Sequence, residues 1–416
     1  MRLPVLMPSV PEQRYSCHGC GDCCRDFTIE LRGDDFERVQ AQGWDAELGE
    51  PFWVAFAGRR WLRQRADGAC IFLGEGGKCR IHARHGLAAK PVACQLFPFS
   101  FAPGPRGAQV GVNFACVSVR RSAGAALATH EAELRRLQAV VPEACERMPV
   151  ADLERNLPAT EREVEAVSQA IDRWLADGSI AGAARLEGFA WLAQSLHEAR
   201  LSRVRGERLA ELLDTLVRAA PNELPMLPTL PASARAWRLL RQAVFARVED
   251  PKIEDLRRSG RLRGVLAQWR RSRAWSRGRG VAPAIHGWPE LRFDAMASAP
   301  RLFAGADAAA IDELLRRWLR VTVLGGRAWG SGLYGLSVSE GVAMVALNAL
   351  CVAWLACARA ASSGRADVRL EDVGEAIGRV DRTSGRAPWL GSSAERQRVA
   401  FLCHQDAIRS AVRALS

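Results

Sequence analysis

The chain has 416 residues, and at roughly 150 residues per domain that length allows two or three domains. With 48% hydrophobic and 25% charged residues it excludes a mainly disordered chain and a mini-protein that folds only with staples. The net charge of +12 comes almost wholly from arginine, since Lys78, Lys90 and Lys252 are the only lysines; it permits an anionic partner without demonstrating one.

The start, MRLPVLMPSVPEQRYSC, has no continuous apolar run and no small-residue cleavage site, so no secretory signal is expected and the protein is placed in the cytoplasm. In a reducing compartment, clustered thiols point to metal or redox chemistry more than to disulfides. Eight of the twelve cysteines fall between positions 17 and 116.

From 1 to 125 the chain reads as a small, irregular α+β, cysteine-rich module. Phe27 to Leu31 reads as a strand and Asp34-Asp35 opens a short helix ending near Gly43. Val54 to Phe56, Trp61 to Arg65, Ala69 to Leu73 and Cys79 to His82 read as short strands between glycine turns. Val110, Val112, Phe114 and Cys116 alternate as one face of a strand would. From 126 to 416 the character is helical, so the fold class is mainly α: a small module on a large multi-helix body. Thr160 and Glu163 have the capping-box spacing, with Val164, Val167, Ile171, Trp174 and Leu175 following at helical period. Further helices are predicted over 184–203, 207–219, 233–248, 261–276, 307–323, 339–361 and 395–413. A Pro-rich break lies near 221–231 and an irregular segment at 278–300.

The chemistry is concentrated in Cys17, Cys20, Cys23, Cys24, Cys70, Cys79, Cys94 and Cys116. Glycines among the first four let the backbone turn so that thiolates three residues apart can converge. A zinc site needs four N or S ligands and an iron–sulfur cluster typically four thiolates, so eight cysteines exceed the needs of one centre. Some are spare, or there are two centres. Neighbouring Cys23 and Cys24 are expected to have unequal roles. His82 is a weaker ligand candidate, and His18, His82, His85 and Asp22 are candidate bases. Cys145, Cys351, Cys357 and Cys403 sit singly in helical patterns and read as core thiols.

The order Cys-x2-Cys-x2-Cys-Cys, Cys-x-Phe-Leu, Cys-x-Ile-His and Lys-Pro-x-x-Cys-x-x-Phe-Pro-Phe, over about residues 15–120, resembles the zinc- or iron-chelating cysteine-cluster family (YkgJ type), which includes flagellin lysine N-methylase. It departs from the commoner form between Cys79 and Cys94, where the stretch is longer and His82 and Lys90-Pro91 stand for the usual Tyr and Arg-Pro. The resemblance implies an iron–sulfur (4Fe-4S) or zinc centre. Through the methylase it also implies methyl transfer from S-adenosylmethionine to lysines of flagellin or another protein.

The residues themselves leave the enzyme question open. The radical S-adenosylmethionine spacing Cys-x3-Cys-x2-Cys is absent, and Gly330 to Gly335 fits G-x-G-x-x-G without a preceding strand, as a flexible loop between helices would. Arginines 257, 258, 261, 263, 270, 271, 273, 277 and 279 lie in a stretch with no acidic residue from 256 to 289, beside Leu262, Val265, Leu266 and Trp269. The alternative reading is therefore a non-enzymatic protein with a structural metal site and an arginine-rich, partner-binding helical body. No nucleic-acid recognition motif accompanies the arginines. Gly341 to Cys357 carries no charge but falls short of a comfortable bilayer span, so a buried central helix is expected instead.

Overall fold

The computed structural model describes residues 4–7, 10, 12–141, 148–228 and 230–416. Thr160 begins helix Glu161–Ala176 as its spacing requires: its Oγ1 accepts from the Glu163 N–H at 3.3 Å, and the Glu163 carboxylate accepts from the Thr160 N–H at 2.8 Å. The stripe Val167, Ile171, Trp174 and Leu175 is buried. Trp174 lies so close to Gly188 of helix Gly182–Glu198 that a Cβ there would sit 1.9 Å from the indole.

The body is organised around helix Val338–Ser362, which starts at a second capping box, Ser337 with Glu340. It is long and apolar enough to cross a membrane, but its apolar window is wholly buried by protein. Helices Gly182–Glu198, Ala234–Val248, Leu370–Thr383, Ser393–His404 and Ala407–Leu415 pack against it. Its one mid-helix amide, Asn348, accepts a hydrogen bond at 2.6 Å from the buried Arg247, which also reaches Glu395 at 2.7 Å. A buried charge of this kind is tolerable only when paired.

The predicted helices of the body are present, with three differences. The segment 395–413 is two helices, because Asp406 takes a left-handed backbone (φ 52°) between them. Helices Glu131–Gln138, Ile253–Ser259 and Leu370–Thr383 had no counterpart in the sequence reading. Pro221 lies inside helix Glu207–Glu223, so the chain turns only after that helix ends.

In the N-terminal part the elements are short. Strands Phe99–Pro103 and Ala108–Val112 pair antiparallel, and Val5–Leu6 joins in parallel with Val5 opposite Ala108. Trp53–Phe56 and Arg59–Leu62 form a hairpin. The strand expected at 27–31 is reduced to a single bridge between Glu30 and Trp61. Cys79 to His82 is no strand: Cys79 caps helix Arg80–His85, which buries Ile81 and leaves His82 in solvent. Two hydrophobic cores result. Leu31, Val39, Trp44, Phe52, Leu62, Cys70, Ile71, Phe72 and Ile81 form a small one, whereas Phe99, Val110, Val112, Phe114 and Val119 belong to the large core of the helices. Eighteen α-helices and seven short strands among the described residues make the fold mainly α.

Candidate metal centre

The cysteines arrive on five pieces of chain. Cys17 and Cys20 are exposed on the loop after strand Arg14–Tyr15, and Cys23 and Cys24 lie in the five-residue helix Asp22–Asp26. Cys70 is in the small core, Cys79 precedes helix Arg80–His85, Cys94 is in helix Val92–Leu96, and Cys116 precedes helix Val117–Arg120.

Two glycine turns bring these pieces together. Gly21 (φ 79°) and Gly77 (φ 80°) are both left-handed, the region open to glycine. They also face each other so closely that a Cβ on Gly77 would stand 2.6 Å from the Gly19 carbonyl oxygen, and one on Gly21 would stand 2.9 Å from that of Gly77. The Cys17 to Cys24 segment is thereby laid against the turn leading into Cys79. The Cys70 N–H donates to the Cys24 carbonyl at 2.7 Å and fixes the third piece. The Val92 N–H donates to Asp35 at 2.9 Å, and Gln95 donates to the Lys90 carbonyl at 2.7 Å, which positions Cys94.

The helical body holds the last cysteine. The Phe114 N–H donates at 2.6 Å to the buried carboxylate of Asp381, which also pairs with Arg327 at 2.9 Å and accepts from Trp318. Arg120 donates to the carbonyls of Phe114 and Ala115 and pairs with Glu375. The loop before Cys116 is therefore clamped from two sides.

Electrostatic neighbourhoods divide the thiols into two groups that share one member. Cys70 and Cys94 are both acted on by Cys79 and Cys23, and the Lys90 ammonium is acted on by Cys94, Cys79, Cys23 and Cys24. Burial and then the charges of Cys17, Cys116, Glu133 and Cys23 oppose ionisation of the Tyr15 hydroxyl, and Cys116 is acted on by Cys20 and Cys23. Cys23 belongs to both, which gives the adjacent Cys23 and Cys24 different surroundings.

Burial opposes ionisation here. It pushes the Cys70 and Cys94 thiols up to about 12 and Cys116 up to about 11. Cys23 is raised by its hydrogen bond with Cys24 and then by burial. Opposing groups are built in. The backbone N–H groups of Asp22, Phe72, and Ser118 with Val119 work against the rise at Cys20, Cys70 and Cys116 respectively. Burial acts against the charge of Lys90, but Cys94, Cys79, Cys23 and Cys24 outweigh it and raise its pKa, while the same ammonium lowers that of Cys94. N–H donors and a cation aimed at sulfur favour thiolate, the form that binds metal.

Among the described residues, no three His, Cys, Asp or Glu side chains stand in closed ligating geometry. The thiols are gathered without being closed on a point, so binding requires local side-chain movement. The donor set itself, sulfur only and backed by N–H groups, suits zinc or iron and not a hard cation such as magnesium or calcium. His18, His82 and His85 are exposed; burial and Lys90 lower the pKa of His82, and His85 packs edge-on against Trp44. Asp22 hydrogen-bonds Cys20. Cys351, Cys357 and Cys403 are buried in the helical core, whereas Cys145 lies outside the described residues.

Sequence reading missed Lys90 as the charge partner of the thiols, and Asp381. The signal for the first was the scarcity of lysine. All three lysines border this module: Lys78 adjoins the Gly19 turn, Lys90 lies among the thiols, and Lys252 donates to the Arg25 carbonyl at 3.3 Å. The G-x-G-x-x-G loop does join two helices, but it is packed rather than free: Leu333 and Leu336 are buried, and a Cβ on Gly332 would stand 1.9 Å from the Gly326 carbonyl oxygen.

No curated protein and no solved structure matches the chain. Residues 16–124, which carry all eight clustered cysteines, match the family model CxxCxxCC, described as "Putative zinc- or iron-chelating domain".

Proposed function

We propose that the protein holds an iron or zinc centre on thiolates drawn from Cys17, Cys20, Cys23, Cys24, Cys70, Cys79, Cys94 and Cys116. What supports this reading is the match of residues 16–124 to the "Putative zinc- or iron-chelating domain", together with the close approach of the Gly21 and Gly77 turns and the Cys70 N–H bond to the Cys24 carbonyl, which bring the cysteine-bearing pieces together. When bound, such a centre supplies folding free energy to the module, and iron with sulfide adds electron-transfer capacity. Eight thiols in two overlapping groups provide for one four-thiolate centre with a reserve, or for two. Anaerobic reconstitution with iron and sulfide, or with zinc alone, tests it. Retention of either through gel filtration supports the reading, and loss of both contradicts it.

The finer reading is that the protein transfers methyl groups from S-adenosylmethionine to lysines of flagellin or another cytoplasmic protein. It rests on the motif resemblance to flagellin lysine N-methylase. A cavity of about 680 Å³ beside the small core offers space for a donor; it is lined by Glu47, Glu50, Glu75, Arg65 and Arg80 among others. Carboxylates and guanidinium groups together suit a ligand bearing an ammonium, a carboxylate and a ribose diol. Incubating the metal-loaded protein with labelled methyl donor and flagellin or whole lysate tests it, and no labelled protein in either would sink it.

The second reading makes the metal structural and the helical body a binding surface. The exposed arginine-bearing face of helix Arg261–Arg277 favours it.

A further inference from the structure

Helix Arg261–Arg277 is attached to the body along one side only. Trp275 is fully buried, with its ring 5.9 Å from that of Phe245, 5.4 Å from Phe293 and 5.8 Å from Trp354. Arg271 reaches the Glu249 carboxylate at 2.8 Å and donates to the Ala284 carbonyl at 2.7 Å. At about 100° per residue, Val265, Leu266, Trp269, Arg263, Arg270, Arg273 and Arg277 fall on the opposite half of the cylinder. Val265, Leu266 and Trp269 are 63%, 46% and 55% exposed. The four arginines are exposed as well, and among the described residues none of them forms an ion pair. Arg273 lies over the Trp269 ring at 5.4 Å.

Scattered exposed apolar residues are ordinary, but three large ones side by side on one helix face mark an interaction surface. The charge around them narrows the occupant. A second copy of this chain would bring the same arginines and repel. Single-stranded nucleic acid would need aromatic faces for stacking, and this surface offers one indole, already covered by Arg273. Aliphatic side chains and a tryptophan beside arginines suit the boundary between lipid headgroups and acyl chains. There the arginine stems lie along apolar surface while their guanidinium groups reach phosphate.

We propose that this face of helix Arg261–Arg277 docks the protein on an anionic lipid bilayer surface. Val265, Leu266 and Trp269 enter the headgroup boundary, and Arg263, Arg270, Arg273 and Arg277 engage lipid phosphates. The inference is independent of the metal reading. It makes the protein peripheral, and among the described residues the one helix long and apolar enough to span is the core helix Val338–Ser362, buried by protein.

Flotation of the full chain with vesicles tests it. The wild type should float with phosphatidylcholine–phosphatidylglycerol vesicles, remain below with phosphatidylcholine alone, and be released by added salt. Arg270→Glu with Arg273→Glu should weaken flotation more than tenfold, at roughly fivefold per neutralised arginine before reversal. Trp269→Ala with Leu266→Ser should weaken it severalfold. Both variants should keep the wild-type metal content and unfolding transition, and chelator-treated protein should float as well as the loaded form. The proposal is overturned if the wild type fails to float with phosphatidylglycerol vesicles, or if neither variant changes flotation. It is overturned equally if polyglutamate or an oligonucleotide retains the protein through these residues while vesicles do not.

Discussion

The Phe114 N–H donates to the Asp381 carboxylate at 2.6 Å, joining the strand that leads into Cys116 to a helix 267 residues further along the chain. Asp381 is buried, and Arg327 binds both its carboxylate and the Val112 carbonyl, each at 2.9 Å. The position of one clustered thiol is thus set by the helical body.

Asp381→Ala leaves the buried Arg327 unpaired and the Phe114 N–H without its acceptor. Breaking a buried pair of this kind costs about 3–5 kcal/mol. Denaturant unfolding should show that loss, and metal should dissociate faster from the variant than from the wild type. An unchanged midpoint would show that the pair carries no structural load.

Gly77→Ala tests the close approach of the two glycine turns. The added Cβ would meet the Gly19 carbonyl oxygen at 2.6 Å and the Cys20 carbonyl carbon at 2.9 Å, in a left-handed backbone that costs alanine about 1–2 kcal/mol. The Cys17 to Cys24 segment must then move away from Cys79. We expect metal retention to fall by at least half while the helical body unfolds at its usual midpoint. Full retention would place the ligands elsewhere.

Metal affinity should rise with pH. The Cys70 and Cys94 thiols are pushed up to about 12 and Cys116 to about 11, so each must give up a proton to a metal at neutral pH. Lys90→Met removes the charge that lowers Cys94, and should weaken binding roughly tenfold at pH 7, equivalent to about one pKa unit. The loss should be recovered as pH is raised. Competition with a chromophoric chelator across pH 6 to 9 measures both effects, and identical curves for the two proteins would contradict the assignment of Lys90.

Glu163 supplies a test of the body alone. Hydrogen bonds from Arg205, Thr160 and the Gly206 N–H hold its carboxyl well below the usual carboxylate range, against the effect of burial. A depressed folded-state pKa stabilises above the unfolded value of about 4.3, and that stability is lost as pH falls through it towards the folded value. Glu163→Gln should cost about 1–2 kcal/mol at pH 7, discounted because Arg205 is partly exposed. The gap between variant and wild type should close in acid. A gap that widened below pH 4 would reverse the sign assigned here.

Much of the body was legible because its helices carry local signals. Thr160 with Glu163 and the stripe to Leu175 needed no tertiary information. Helix Leu370–Thr383 went unread although Leu370, Val373, Ile377 and Val380 fall at helical spacing; what its sequence does not show is that Asp372, Arg379, Asp381 and Arg382 are buried beside that stripe. Gly374 and Gly378 lower its helical propensity. A Cβ on Gly378 would stand 2.2 Å from the Arg120 guanidinium, a reason for glycine that only the fold reveals. Cys79 to His82 misled because Ile81 between polar residues looks like strand alternation, whereas one buried residue suffices for a helix that short. The eight cysteines were plain in the sequence. Their division around Lys90 and Tyr15 was not, since it depends on backbone contact between Gly21 and Gly77 and on Asp381 far downstream.

The most direct test of the metal centre is metal and acid-labile sulfide analysis of protein purified without oxygen. It should be made on the wild type, on Cys→Ser variants at the eight clustered positions, and on Cys351→Ala, Cys357→Ala and Cys403→Ala. The account predicts bound iron or zinc in the wild type, reduced by substitutions in the cluster and unchanged by the three in the helical core. Metal-free wild-type protein after reconstitution, or metal content indifferent to all eight cluster substitutions, would contradict it.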